Sequence, residues 1–199
     1  MKIRSSRLAR ALAIVALLVP TGAAWAQWEL DGTKSAVNFI SIKNDSVAET
    51  HSFTSLVGYI GEDGTVQLSI GLDSVETLIE VRNDRMREML FETVKFPAAT
   101  VSATVAPDML AAVAGGGTVT TELALKLELH GVEKSITVPV VVVGERAGHI
   151  QVFTPSPVII NAADFNLAAG VAALQSVAGL NAISAAVPVT VHLVFTSVK

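Results

Sequence analysis

The sequence predicts an all-β protein, an antiparallel sandwich or closed barrel of short strands with one or two short helices. Apolar residues alternate with period two along most of the chain, turn residues separate the alternating runs, and helical spacing is confined to two stretches. A chain of 199 residues, 51% hydrophobic and 16% charged, is one domain in size and too apolar to remain disordered.

The first segment stands apart. Lys2, Arg4, Arg7 and Arg10 precede an uncharged apolar run from Ala11 to Val19, and Ala24-Trp25-Ala26 has the small-x-small pattern cut by signal peptidase. Residues 1–26 are therefore expected to be a secretory signal peptide and residues 27–199 the mature domain. The apolar run is about half the ~20 residues that cross a bilayer, so no retained anchor is expected. Export places the protein in the periplasm, with secretion as the alternative. Once those four basic residues leave, ten basic residues face eighteen acidic ones, a balance that disfavours nucleic acid and anionic lipid surfaces as partners. The chain has no cysteine, which excludes disulfides, thiolate nucleophiles and cysteine-based metal sites.

The mature chain is mostly strand. Gly61-Glu62-Asp63-Gly64 is a turn, and from Thr65 to Leu72 the residues Val66, Leu68, Ile70 and Leu72 share one face. Thr77 to Phe91 is charge-dense, with Met86, Met89 and Leu90 at i, i+3 and i+4, which predicts a short helix stopped before Pro97. Val101, Ala103 and Val105 form another one-sided run. Gly115-Gly116-Gly117 and the alanines before it are expected to be a flexible loop; no Lys-Ser/Thr follows to make a phosphate cradle. Leu123, Leu125, Leu127 and Leu129 alternate with polar residues, His130-Gly131 turns the chain, and Ile136, Val138, Val140 and Val142 return it as a hairpin. Ala168 to Leu180 is alanine-rich and predicts a turn or two of helix. Val187, Val189, Val191, Leu193 and Phe195 form the last strand. No Asp, Glu, Lys or Arg occurs from Phe165 to Val198, but Asn166, Gln175, Asn181, Pro188 and His192 interrupt it and its end has period two, against a membrane span.

Catalytic patterns are missing. No Gly-x-Ser-x-Gly elbow occurs, Glu62-Asp63 lies in a turn, and His51, His130, His149 and His192 form no paired metal motif. Each histidine is expected to be a surface or turn residue, and no catalytic residue, metal or cofactor is assigned. The aromatic share, 5% of the chain, is too small for the two girdles of a membrane barrel. A closed barrel of about eight strands is just wide enough to be filled by side chains or to hold one small ligand, and composition leaves both open.

Three segments resemble the YceI-like family of bacterial periplasmic polyisoprenoid-binding proteins. They are Trp28-Glu29-Leu30-Asp31 with Ser35-Ala36-Val37-Asn38-Phe39; Asp73-Ser74-Val75-Glu76-Thr77 with Arg82-Asn83-Asp84-Arg85-Met86-Arg87, Phe91 and Phe96-Pro97; and Leu125 to Val132 leading to Val138-Pro139-Val140. Asp164-Phe165 is similar to a later element of the family. Lys34 and Asn166 depart from it, where many members carry histidine and glycine. The resemblance implies a lipocalin-like antiparallel β-barrel of about eight strands, a carrier rather than an enzyme, whose cavity holds a long isoprenoid, quinone or fatty-acyl chain.

On that basis Phe39, Ile70, Leu123, Leu125, Leu127, Leu129, Val138, Val189 and Val191 are candidates to line the cavity. Arg82, Arg85 and Arg87 are candidates to hold an anionic head group, set against the interleaved Glu80, Asp84 and Glu88, which predict a self-paired helix face. Met86, Met89, Leu90 and Phe91 are candidates for a plug at the barrel mouth, set against a simple seal on the core. A homodimer that covers the mouth is a further expectation. The alternatives are a solid-barrel interaction or stress-response module and a divergent enzyme using the cavity.

Overall fold

The computed structural model describes residues 26–145 and 148–198; the expected signal segment, apart from Ala26, lies outside them. Twelve strands form one antiparallel sheet that closes on itself. In chain order they are β1 (Ala26–Leu30), β2 (Ala36–Lys43), β3 (Val47–Phe53), β4 (Leu56–Gly61), β5 (Thr65–Gly71), β6 (Val75–Glu76), β7 (Ala98–Thr104), β8 (Thr118–Leu129), β9 (Val132–Gly144), β10 (His149–Phe153), β11 (Val158–Asn161) and β12 (Ala186–Ser197). They make eight staves, because four staves are interrupted strands. β1 and β2 lie one after the other along one edge of β12, and β10 and β11 do the same along its other edge. Likewise β4 and β3 continue each other opposite β1 and β2, and β5 and β6 opposite β4 and β3. Every stave is thus flanked by its sequence neighbours, with β12 closing onto β1 and β2: an up-and-down barrel.

Local chemistry sets the turns. Asn44 and Asp45, with φ of 48° and 69°, and His130 and Gly131, with 51° and 74°, put two successive residues in the left-handed region, the twist a tight hairpin needs. Between β1 and β2, Asp31 accepts hydrogen bonds from the Thr33 backbone N–H (3.1 Å) and hydroxyl (2.6 Å) and pairs with Lys34 at 2.9 Å. These contacts, the Thr33 hydroxyl foremost, pull its carboxyl down to about 2.

The longest ladder joins β8 to β9 from Thr118↔Val143 to Leu129↔Val132. Leucine is only a moderate strand former; the alternation decides, turning Leu123, Leu125 and Leu127 inward and Glu122, Lys126 and Glu128 to solvent.

Three helices close the ends. α1 (Glu80–Arg85) widens into a π-helical turn, Met86–Leu90, so the expected helix is present but not regular. Buried Asn83 fixes it: Oδ1 accepts from the Thr77 backbone N–H at 2.9 Å and the Thr77 hydroxyl at 2.6 Å, while Nδ2 donates to Glu76 at 3.2 Å. α3 (Ala168–Val177) packs on that π-helical turn, and a Cβ on Gly170 would lie 2.7 Å from the Met89 carbonyl oxygen. At the opposite end is α2 (Pro107–Ala114), where a loop was expected. Alanine is the best helix former, and Pro107 takes the first helical position, where its missing N–H costs nothing. The triple glycine ends the helix rather than extending a loop, Gly116 having φ of 85°.

α2 presses on β9 so closely that a Cβ on Gly144 would sit 1.7 Å from the Val113 carbonyl oxygen. Backbone cannot yield as a side chain does, so Gly144→Ala is expected to cost about 1–3 kcal/mol, as overpacking does, seen as a lower midpoint in thermal unfolding.

Candidate functional site

The barrel is hollow. A cavity of about 190 Å³ runs along its axis. Its walls extend from Ile136 to Val142 on β9 and from Val189 to Phe195 on β12, a length of about 20 Å at ~3.4 Å per residue. α2 closes one end with Met109, Leu110 and Val113. The lining is valine, leucine, isoleucine, alanine, phenylalanine and methionine with one hydroxyl, that of Thr154, which already accepts a hydrogen bond from the Val191 N–H at 3.1 Å. A void so lined stays dry, and its wall atoms lack partners on one side.

One wall is not a hydrogen-bonded sheet. β10 pairs with β9 only between Val141 and Gly144; then Thr154-Pro155-Ser156-Pro157 interrupts the stave, and β11 pairs with β12 but not with β9. From Val132 to Val140 the second edge of β9 has no strand partner among the described residues. Here the bore is bounded by facing side chains, Ile136 and Val138 on one side and Val158 and Ile160 on the other.

Of the residues expected to line a cavity, Ile70, Leu123, Leu125, Leu127, Val138, Val189 and Val191 do so; Phe39 and Leu129 do not. Leu129 is half-buried at the His130-Gly131 turn, beyond the end of the bore. Phe39 is buried one inward position past Val37 and stacks on Phe53 at 5.3 Å, which in turn meets Phe91 at 5.8 Å. Thr154, α2 and β11 were not identified from the sequence, since none continues an alternating run that signals a wall.

The arginines are held by neighbours. Arg87 bonds Glu80 at 3.1 Å, Asp84 at 2.8 Å and the Asp73 carbonyl at 2.8 Å. Arg82 donates through Nη1 to Glu49 at 2.9 Å and through Nη2 to the Thr77 carbonyl at 2.6 Å. Arg85, half-buried at the end of α1, joins neither set. Met86 and Phe91 are buried and Met89 and Leu90 half-buried beneath α3, and none of the four reaches the bore.

A polar cluster follows the aromatic layer. Along β2 the inward face runs Val37, Phe39, Ser41, Lys43, and along β3 it runs Phe53, His51, Glu49. His51, expected at the surface, is only 4% exposed. β3 alternates like the other strands, so the position that faces Phe39 is buried whatever residue occupies it. His51 stacks on Phe39 at 5.1 Å and its Nε2 meets the Ser41 hydroxyl at 2.8 Å. Outside it, Glu49 pairs with Lys43 at 2.5 Å and with Arg82, and these cations, Lys43 foremost, hold its carboxyl below the usual range. Burial first, then the nearby Arg82 charge, lower the His51 pKa. The other histidines differ: His130 lies at its turn against Phe96 at 4.4 Å, His149 begins β10, and His192 meets Gln151 at 3.0 Å. Among the described residues no group of three or more histidine or acidic side chains is placed to hold a metal ion, and no helix is long and apolar enough to cross a membrane.

A model of the YceI-like domain matches residues 28–195. The chain belongs to the YceI-like family. Among solved YceI-like and related structures, a polyisoprenoid-binding domain from Saccharophagus degradans implicated in plant cell wall breakdown is 41% identical, with a TM-score of 0.84 over 87% of this chain and 100% of that one. BcnA of Burkholderia cenocepacia, 22% identical, superposes with a TM-score of 0.64 over 83% of this chain and 98% of its own. The Campylobacter jejuni YceI protein, 14% identical, gives 0.50 over 80% and 84%; these two likenesses are of fold. No curated protein sequence matches this one.

His51 leaves a signature in pH. Its pKa is lowered in the folded state, so the unfolded chain, titrating near ~6.5, takes up the proton first. Its contribution is intact above that value and declines as pH falls. The drop in thermal midpoint between pH 7 and pH 5 is expected to be smaller in His51→Phe than in the unsubstituted protein.

Proposed function

We propose that the protein is a periplasmic carrier that holds a long isoprenoid, or a related quinone or fatty-acyl chain, in its bore and performs no chemistry on it. The observation that carries this is the lining: about 20 Å of apolar wall by strand rise, whose only hydroxyl is already bonded. No charged side chain lines the bore, and no imidazole, amine or carboxylate there could act as a base. An aliphatic chain laid along it leaves water at roughly 0.8 kcal/mol per buried methylene, so length alone gives affinity without directional contacts. The polyisoprenoid-binding character of the Saccharophagus relative supports the same ligand class. The basic, apolar and small-residue pattern of residues 1–26 supports export to the periplasm.

Mass spectrometry of an organic extract of the full chain, expressed with its first 26 residues and purified from the periplasm without detergent, tests this. One long-chain species at near one per protein is the expected result. Val138 lines the mid-length of the bore, so Val138→Trp is expected to remove at least about nine-tenths of that species, the indole taking its place. Full lipid occupancy in a folded Val138→Trp protein would place the lipid elsewhere. An empty extract, followed by no binding of added polyprenols or quinones, would overturn the carrier.

A further inference from the structure

Both ends of the bore are closed by packed groups. At one end α2 sets Leu110 and Val113 into it, and backbone hydrogen bonds tie that end together: the Gly144 N–H donates to the Gly117 carbonyl at 2.8 Å and the Val105 N–H to the Gly64 carbonyl at 2.9 Å. At the other end Phe39, Phe53 and Phe91 pack ring to ring past Val37, the wall residue that β2 contributes. A long aliphatic chain enters such a space only where something parts, and the easiest place to part is the seam that holds the fewest bonds.

That seam lies between β9 and β11. Among the described residues no strand pairing and no backbone hydrogen bond joins Val132–Val140 to Val158–Asn161. Parting a ladder elsewhere in the barrel would leave N–H and C=O groups unbonded against hydrocarbon, the costly half of hydrogen bonding. Here the wall is held by Ile136 and Val138 facing Val158 and Ile160, and by the Lys134–Asp164 ion pair at 2.7 Å. Both partners of that pair are about half exposed, so it fastens weakly. β11 is bonded along one edge only, to β12, and Pro155 and Pro157 just before it have no N–H to give across the gap. On its outer side stands Ile159, 60% exposed, an apolar side chain beside the seam.

Resting on the carrier proposed above, we infer that the ligand enters and leaves sideways, through the seam between β9 and β11, and that the Lys134–Asp164 pair is its latch. β11 hinges on its bonded edge with β12 while β9, paired along its whole length with β8, stays in place. The apolar contacts that Ile136 and Val138 lose with Val158 and Ile160 are remade with the passing chain, so the opening costs little once a chain is in it. The aromatic layer and α2 keep their packing throughout. Lys134 and Asp164 lie outside the bore lining, so the latch governs how fast the ligand exchanges and leaves how tightly it binds unaltered.

The chain has no cysteine, so a cysteine pair can be linked without side reactions. Protein carrying Lys134→Cys and Asp164→Cys is loaded with tritiated geranylgeraniol, joined by a short bis-methanethiosulfonate linker, and followed as the label exchanges with excess unlabelled alcohol. Exchange is expected to be at least about tenfold slower than in the unsubstituted protein, as it is when a barrier rises by ~1.4 kcal/mol, and to recover on reduction of the linker. The same linker between Lys126→Cys and Glu133→Cys, a pair at 3.0 Å on the bonded β8–β9 ladder, is expected to leave the rate within about twofold. Undiminished exchange in the first linked protein, or equal slowing in both, would overturn the inference. Asp164→Asn keeps the shape of the side chain and removes its charge. It is expected to speed exchange about two- to fivefold, the scale of an exposed ion pair, with the affinity for geranylgeraniol unchanged. This variant decides the matter if the linked pair does not fold, and an unchanged rate in it overturns the inference. Failure of geranylgeraniol, longer polyprenols and quinones to bind the unsubstituted protein would instead remove the carrier, and the entrance with it.

Discussion

β12 is hydrogen-bonded along both edges. On one side it holds β2 and then β1, and on the other β11 and then β10, so twelve residues join four strands. Without this strand the sheet has two raw edges and no inside; with it, every inward side chain faces a closed space. The cost lies in chain entropy, because Trp28↔Ser197 and Val37↔Val191 pair residues from opposite ends of the domain. Closure therefore has to be supported by buried contacts at the same place. Phe195 and Trp28 are almost completely buried there, and the indole N–H of Trp28 donates to the Gly148 carbonyl at 3.2 Å.

Once closed, the barrel is not filled. β8 and β9 bring leucine, isoleucine and valine inward in layers, but bulky aromatic residues gather at the two ends: Trp28 and Phe195 beside α2, and Phe39, Phe53 and Phe91 beneath α1 and α3. Aliphatic side chains of middling length leave the axis open, and rings stop it above and below. The distribution of side-chain size along the staves, more than the strand count, makes this interior a bore rather than a core.

Strict alternation made the long strands legible. Leu123 to Leu127, Val138 to Val142 and Val189 to Phe195 point where period two places them, and the YceI-like resemblance supplied barrel closure that no local pattern encodes. The interrupted staves were hidden, since the breaks at Asp31–Ser35 and Thr54–Ser55 look like ordinary turns between separate strands. Ala111 to Ala114 read as loop because the glycines after them dominate the local pattern, although Pro107 and the alanines are what a helix start and interior require. His51 was misplaced for a different reason. Glu49-Thr50-His51-Ser52 is polar at every position, so burial there shows only once β3 is set opposite β2 and His51 falls across from Phe39.

The edge of β9 from Val132 to Val140, which has no strand partner among the described residues, has one more consequence. An open strand edge is a template on which another chain can add itself, and barrels ordinarily avoid the hazard by having no edge. This barrel retains one from Val132 to Val140, and its sequence reads as a defence of it. Pro139 lacks the N–H a docking strand would need, Pro155 and Pro157 keep the facing segment from becoming one, and Lys134 reaches across to Asp164 at 2.7 Å. A slit in the wall is thus kept without offering neighbouring molecules a place to polymerise.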